Sequence, residues 1–238
     1  MPLFCAMLVE QFLEPESLLM SRFLLLALLL LSIPLTARAG SEFELSVLGG
    51  PSFPLRGLEK LVGTGYRVGG YFQVNLNDNI GLAVTSGYMR WRFDSGKINA
   101  AAAAAGKEQG YDVRGPFQSI PVMLGARLTV DGSSIRPYFA IMGGAFFLQW
   151  RLSGTQDAGG VTTAIPVHGL TWTEPAACFD AGLLVRLGGD TWLDLGGSYT
   201  AFSNSQDRIE SPLLAGQKLV SSNTAGQIAV QAGVRVIL

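Results

Sequence analysis

Residues 227–238 read Gln-Ile-Ala-Val-Gln-Ala-Gly-Val-Arg-Val-Ile-Leu. In an extended chain Ile228, Val230, Ala232, Val234, Val236 and Leu238 share one face, while Gln227, Gln231, Gly233 and Arg235 share the other. This is an amphipathic strand, apolar on one side and polar or small on the other. The same alternation recurs along the chain between turn residues.

Seven further segments carry it. Residues 42–48 set Phe43, Leu45 and Val47 against Glu42, Glu44 and Ser46, and residues 65–76 set Tyr66, Val68, Phe72, Val74 and Leu76 against Arg67, Tyr71, Gln73 and Asn75. A third runs from 80 to about 93, opening with Ile80, Leu82 and Val84 against Gly81, Ala83 and Thr85. The fourth, about 117–130, opposes Ile120, Val122, Leu124, Ala126, Leu128 and Val130 to Ser119, Gly125, Arg127 and Thr129. Residues 135–150 form the fifth and least regular. In the sixth, about 177–187, Phe179, Ala181, Leu183, Val185 and Leu187 face away from Asp180, Gly182 and Arg186. The seventh, 191 to about 200, sets Leu193, Leu195 and Tyr199 against Asp194, Gly196 and Ser198. Helix-period stretches are few, and all 30 glycines follow residue 39, so the chain reads as all-β.

The connections fall into two classes. Asn77-Asp78-Asn79, Asp131-Gly132-Ser133-Ser134 and Gly188-Gly189-Asp190 are tight turns suited to hairpins. The intervening links, 49–64, 94–115, 151–175 and 201–224, are long. Up-and-down order then gathers the tight turns on one rim and the long loops on the other, as in transmembrane barrels with short periplasmic turns and long external loops. The expected fold is an eight-stranded antiparallel up-and-down transmembrane β-barrel. A lipocalin-like soluble barrel would also alternate, but with its apolar face inward.

The front of the chain agrees with export. Arg22, the apolar run 23–31 and Ala37-Arg38-Ala39 read as a signal peptide over 20–39, cleaved before Gly40. Residues 1–19 carry Glu10, Glu14 and Glu16, the wrong charge for an n-region, so translation is expected to begin at Met20. Residues 40–238 form the barrel domain, about 200 residues and enough for one domain. The whole chain has 17 basic and 18 acidic residues, and losing the leader brings the signs into balance. No basic excess exists to recruit nucleic acid. Cys5 leaves with the leader, so Cys178 is expected to be a free, packed thiol.

An aromatic girdle is expected, with Tyr88, Trp91, Phe93, Phe147, Trp150, Phe179, Tyr199 and Phe202 toward the loop rim and Tyr138 and Trp192 toward the turn rim. A narrow barrel is filled by its own side chains, so the charges on the polar faces should pair inside. Glu42 and Glu44 are placed with Arg235, Arg186 with Asp194, and Arg127 is a further member.

The segment 135–145, with Arg136-Pro137-Tyr138 leading a Gly-rich alternation, resembles a strand of the opacity-type and OmpA/OmpX-like family of outer-membrane porin-type barrels. Residues 179–187 and 193–199 resemble a late hairpin of that family, and the closing strand resembles its sorting signal, with Leu238 where an aromatic is usual. The resemblance implies the bacterial outer membrane, a monomer surrounded by outer-membrane lipid, delivery to the barrel-assembly machinery through the C-terminal strand, and an extracellular ligand at the loops.

Catalytic, cofactor and metal sites are all expected to be absent. The one histidine, His168, lies in the third long loop near Glu174, without the serine two residues on that lipid A deacylases carry. It reads as a surface residue. Ala100 to Ala105 reads as a flexible loop tip, being too short for an isolated helix. The expected role is structural or surface interaction, carried by the four external loops; a narrow small-solute channel and a lipid A-modifying enzyme are the alternatives.

Overall fold

The computed structural model describes residues 42–104, 106, 109–203 and 224–238. The expected leader and most of the expected fourth long loop lie outside the described residues. Among the described residues nine strands run in order: β1 (Phe43–Leu55), β2 (Gly65–Asn75), β3 (Ile80–Arg92), β4 (Gln109–Arg114), β5 (Pro116–Thr129), β6 (Ile135–Ala158), β7 (Val161–Gly188), β8 (Thr191–Ser203) and β9 (Thr224–Ile237). A 3-10 turn, Leu58–Lys60, follows β1, and a helix, α1 (Ser95–Ala104), separates β3 from β4.

Eight strands close a ring, β1-β2-β3-β5-β6-β7-β8-β9, with every neighbour antiparallel and β9 paired back to β1. Closure leaves the ring without an edge. The three tight turns stand where expected, and both termini of the ring share their rim, since Leu238 donates its N–H to the Phe43 carbonyl at 2.7 Å. The ninth strand is no member of the ring. β4 continues β5 past a break at Gly115, whose φ of 145° and contact with the Arg151 carbonyl leave no room for a Cβ. Both β4 and β5 pair with the same long strand, β6.

The third long link is therefore not a loop. β6 and β7, 24 and 28 residues long, stay paired from Ile135↔Val185 out to Ala158↔Val161, with one bulge between Leu152 and Gly154. Their turn is Gly159-Gly160, with φ of 59° and 82°, the positive pair that a two-residue type I′ hairpin demands. From Trp150, opposite the last ring residue of β5, the hairpin runs eight residues further, roughly 26 Å of strand.

The alanine run is ordered as well. Asp94 caps α1, accepting the Lys97 N–H on its side chain and the Ile98 N–H on its carbonyl. Ile98 and Ala102 are wholly buried against Leu58, Leu61 and Val62. On its other side α1 faces β4, where Asn99 bonds both the N–H and the carbonyl of Tyr111, and Ser95 does the same for Val113. One turn apart, these two side chains stand in for a neighbouring strand and cover an edge that would otherwise be open. Packing and capping thus supply what a short polyalanine helix lacks alone.

The two faces sort as the alternation requires, and in the transmembrane sense. Val47, Val68, Leu82, Leu124, Ile141, Leu183, Val230 and Val234 are exposed around the outside. Ser46, Arg67, Gln73, Thr85, Ser119, Arg127, Asp180, Asp194, Ser198, Gln231 and Arg235 are buried inside. Water would meet a continuous apolar belt on such a barrel, whereas a bilayer matches it. Among the described residues no helix is long and apolar enough to cross a membrane; the crossing is made by strands.

Candidate functional site

The lumen is plugged in layers. Near the turn rim Trp192, Tyr138 and Leu184 fill the section, and Arg136 stacks on Trp192 at 4.6 Å from the ring centroid. Above them lies a chain of polar contacts that joins six strands. Asn75 donates to Glu44 at 3.0 Å, Arg235 donates to Glu44 at 2.6 Å and to Asp194 at 2.6 and 3.2 Å, and Tyr138 donates its hydroxyl to Asp194 at 2.7 Å. Arg127 lies 3.8 Å from Asp194 and 3.5 Å above the Tyr138 ring. Tyr138 crosses the lumen because Gly182 and Gly196 face it: a Cβ on either would run into its hydroxyl.

Further up, Arg67 donates to Ser198 at 2.9 Å, and Ser52 donates to Gln227, which donates on to the Met89 sulfur. Cys178 is buried, as expected, but among polar groups: its thiol donates to Asp180 and accepts from Thr200. At the loop rim the section is aromatic. Trp91 and Phe117 lie 5.6 Å apart, Phe117 and Trp172 6.1 Å, Phe93 and Trp150 6.2 Å edge-on, and Phe146 stacks on Phe202 at 5.1 Å. Such pairs add about 0.5–1.5 kcal/mol each beyond the area they bury. α1 and the 3-10 turn close over this layer. Beneath α1, burial pushes the Tyr111 hydroxyl above its ordinary value, so it stays neutral.

Several expected placements need correcting. Trp91, Phe93, Trp150 and Phe202 are not part of a lipid-facing girdle, and neither are Tyr138 and Trp192; all six are buried inside. Their positions have inward parity, and the ends of a narrow barrel must be filled. Of the expected girdle, Tyr88, Phe147, Phe179 and Tyr199 do face outward or lie part-exposed. Of the expected ion pairs, Arg235 with Glu44 forms and Arg127 joins through Asp194. Glu42 is exposed at the rim, and Arg186 is exposed beside the bulge between Arg186 and Gly188, its guanidinium turned to the Gly189 carbonyl. Asp194 pairs instead with Arg235, its neighbour across β8 and β9. Arg67 and the aromatic plug were missed; inward parity on β2 and β3 was the available signal.

His168 lies on β7 opposite Leu152, beyond the ring, and six residues from Glu174, roughly 20 Å along an extended strand. Among the described residues no group of His, Cys, Asp and Glu is arranged to hold a metal.

A closed, edge-free barrel with an apolar outside and a charged, filled inside defines a transmembrane β-barrel of the bacterial outer-membrane type. No protein-family model matches the sequence, and no curated protein matches it. Solved structures similar to it include Neisserial surface protein A, at 17% identity over 83% of this chain and 98% of that one, TM-score 0.43. Ail, the attachment invasion locus protein of Yersinia pestis, solved with the heparin analogue sucrose octasulfate, shares 13% identity over 82% and 98%, TM-score 0.47. The N-terminal barrel domain of OprF from Pseudomonas aeruginosa shares 14% over 83% and 97%, TM-score 0.39. The membrane character of this chain rests on its own two faces.

Proposed function

We propose that this protein is a non-enzymatic outer-membrane barrel whose structural or surface-interaction role is carried by what stands beyond the loop rim: the β4-β6-β7 sheet, α1 and the remaining external connections. The observation that carries this reading is the filled lumen. Trp91, Phe117, Trp150 and Trp172 occupy its outer end, and the Arg235 network occupies its inner half, which favours a packed barrel over a channel. The long hairpin puts exposed Gly159, Gly160 and Val161 farthest from the ring, where a partner would meet them first.

Planar-bilayer recording tests the filled lumen directly. No stable conductance is expected from the intact protein, and Trp91→Ala combined with Trp150→Ala should open a leak. A steady conductance in the unmodified protein would establish the channel reading instead. For the enzyme alternative, His168→Ala is expected to leave the lipid A species of expressing cells unchanged by mass spectrometry. A lipid species lost with that substitution would overturn the non-enzymatic reading.

A further inference from the structure

Where β3 and β5 part at the loop rim, a cleft of about 390 Å³ opens, lined by Arg90, Arg92, Phe93, Arg114, Gly115 and Pro116. Three of its six lining residues are arginines, and none of the lining residues is a carboxylate. The last ring pair below it is Arg92↔Pro116, after which β3 leaves for α1 and β5 breaks at Gly115 into β4. Arg90 and Arg92 have the outward parity of Leu82 and Val84, opposite to inward Met89 and Trp91. These arginines put the mouth of the cleft on the bilayer side of the wall, with Phe93, an edge of the lumen's aromatic layer, at its back.

Its depth follows from strand geometry. Ile80, exposed at the turn rim, and Arg90 are ten residues apart on β3. At about 3.4 Å per residue and a tilt near 40°, that is roughly 26 Å along the barrel axis, close to the ~25 Å height of an outer-membrane apolar band. A tilted aromatic pair marks the same level: Tyr66, opposite Arg90, lies 6.2 Å from Tyr88, one outward position below it. Tyrosines favour headgroup depth. Arg90 thus sits at the headgroups, with Arg92 and Arg114 just beyond.

The cations are poorly compensated. Arg90 is half-buried, and its Nε is buried with no hydrogen-bond partner among the described residues. Arg114 meets Asp112 at 3.1 Å, but both are largely exposed, and such a pair contributes little. Guanidinium groups offer planar forks that match phosphate oxygens, and they give up water more readily than ammonium groups. Phe93 and Pro116 supply apolar walls for the rest of a headgroup.

We propose that this cleft binds the phosphate-bearing headgroup of an outer-leaflet lipid, with Arg90, Arg92 and Arg114 converging on one phosphate. The proposal rests on the membrane orientation given above. It adds a specific lipid site to a wall that is otherwise only apolar.

The test uses the folded full chain in phosphatidylcholine nanodiscs containing increasing mole fractions of fluorescent bis-phosphorylated lipid A or of its dephosphorylated form. Tighter apparent binding to the phosphorylated lipid is expected, by about tenfold or more for loss of three charge-assisted contacts. In the Arg90→Gln/Arg92→Gln/Arg114→Gln variant the two lipids should bind alike. Equal binding of both lipids to the unmodified protein overturns the proposal, and that comparison needs no variant to fold. Phosphorylated-lipid preference that persists in the triple variant also overturns it, by placing the site elsewhere. Inorganic phosphate at millimolar concentration is expected not to compete; full competition would reassign the cleft to a soluble anion. Lipid-soluble quenching of a label at Leu124 is read in the same discs, so a failed membrane orientation is distinguished from a failed site.

Discussion

Arg235 is the side chain on which the charges of the lumen converge. It is 1% exposed and holds Glu44 of β1 and Asp194 of β8 at once, so it bridges the seam at which the barrel closes. Asp194 in turn accepts from Tyr138 and neighbours Arg127. Removing one member leaves buried charge without its partner, which costs more than the pair itself contributes. Asp194→Ala is expected to lower stability in lipid vesicles by about 3–5 kcal/mol, measured by urea unfolding. Tyr138→Phe removes a single bond to a charged group and should cost about 1.5–3 kcal/mol. A smaller loss at Asp194 than at Tyr138 would show that the network does not hold the seam. Glu44 and Arg235 were legible in the sequence because both lie within regular alternation. Arg186 was not: its register stays regular opposite Trp192, but it stands exposed at the open turn rim, where the Gly189 carbonyl takes its guanidinium in place of Asp194. The inward aromatics were misread for a different reason: alternation fixes which residues share a face, but a tryptophan at a strand end suits either a headgroup layer or a narrow lumen that needs filling.

The elements beyond the rim were the least legible part of the fold. The β6-β7 hairpin carries its own signal, Gly159-Gly160 between Thr155-Gln156-Asp157 and Val161-Thr162-Thr163, which is turn chemistry between β-formers. Length hid it, because a strand of 28 residues exceeds what a bilayer requires and its outer half looks like loop. α1 was hidden by energetics. Its alanines give it propensity, but its stability comes from Asp94, from the buried Ile98 and Ala102, and from Ser95 and Asn99 against β4. Replacing Ser95 and Asn99 together by Ala strips four bonds from the β4 edge. That pair of changes is expected to raise amide exchange in β4 and to expose its Gln109–Arg114 backbone to protease, while the ring unfolds at an unchanged urea midpoint. A shift of the ring's midpoint would mean that the cap is part of the barrel's cooperative unit.

At the scale of the molecule, one physical statement supports the rest: the apolar face points out. Leu124 is 60% exposed and Val230 54%, whereas Cys178, on the lumen side, is 2% exposed. The protein thus carries its own inward probe. In a Cys5→Ser background, the Cys178 thiol of the folded, membrane-inserted barrel should resist both a charged maleimide and a lipid-soluble one, because the wall separates it from either phase. A cysteine placed at Leu124 in a Cys5→Ser/Cys178→Ser background should react with the lipid-soluble reagent and resist the charged one. Arg at Leu124 or Val230 is expected to cost about 2–4 kcal/mol near the midplane, since nothing there can solvate it. The same substitution on a lipocalin-like barrel would place Arg in a dry ligand cavity, and Cys178 would then be open to water. Rapid labelling of Cys178 by the charged reagent in the folded protein, with Leu124→Cys inert to both, would therefore reverse the faces and remove the basis for the membrane assignment.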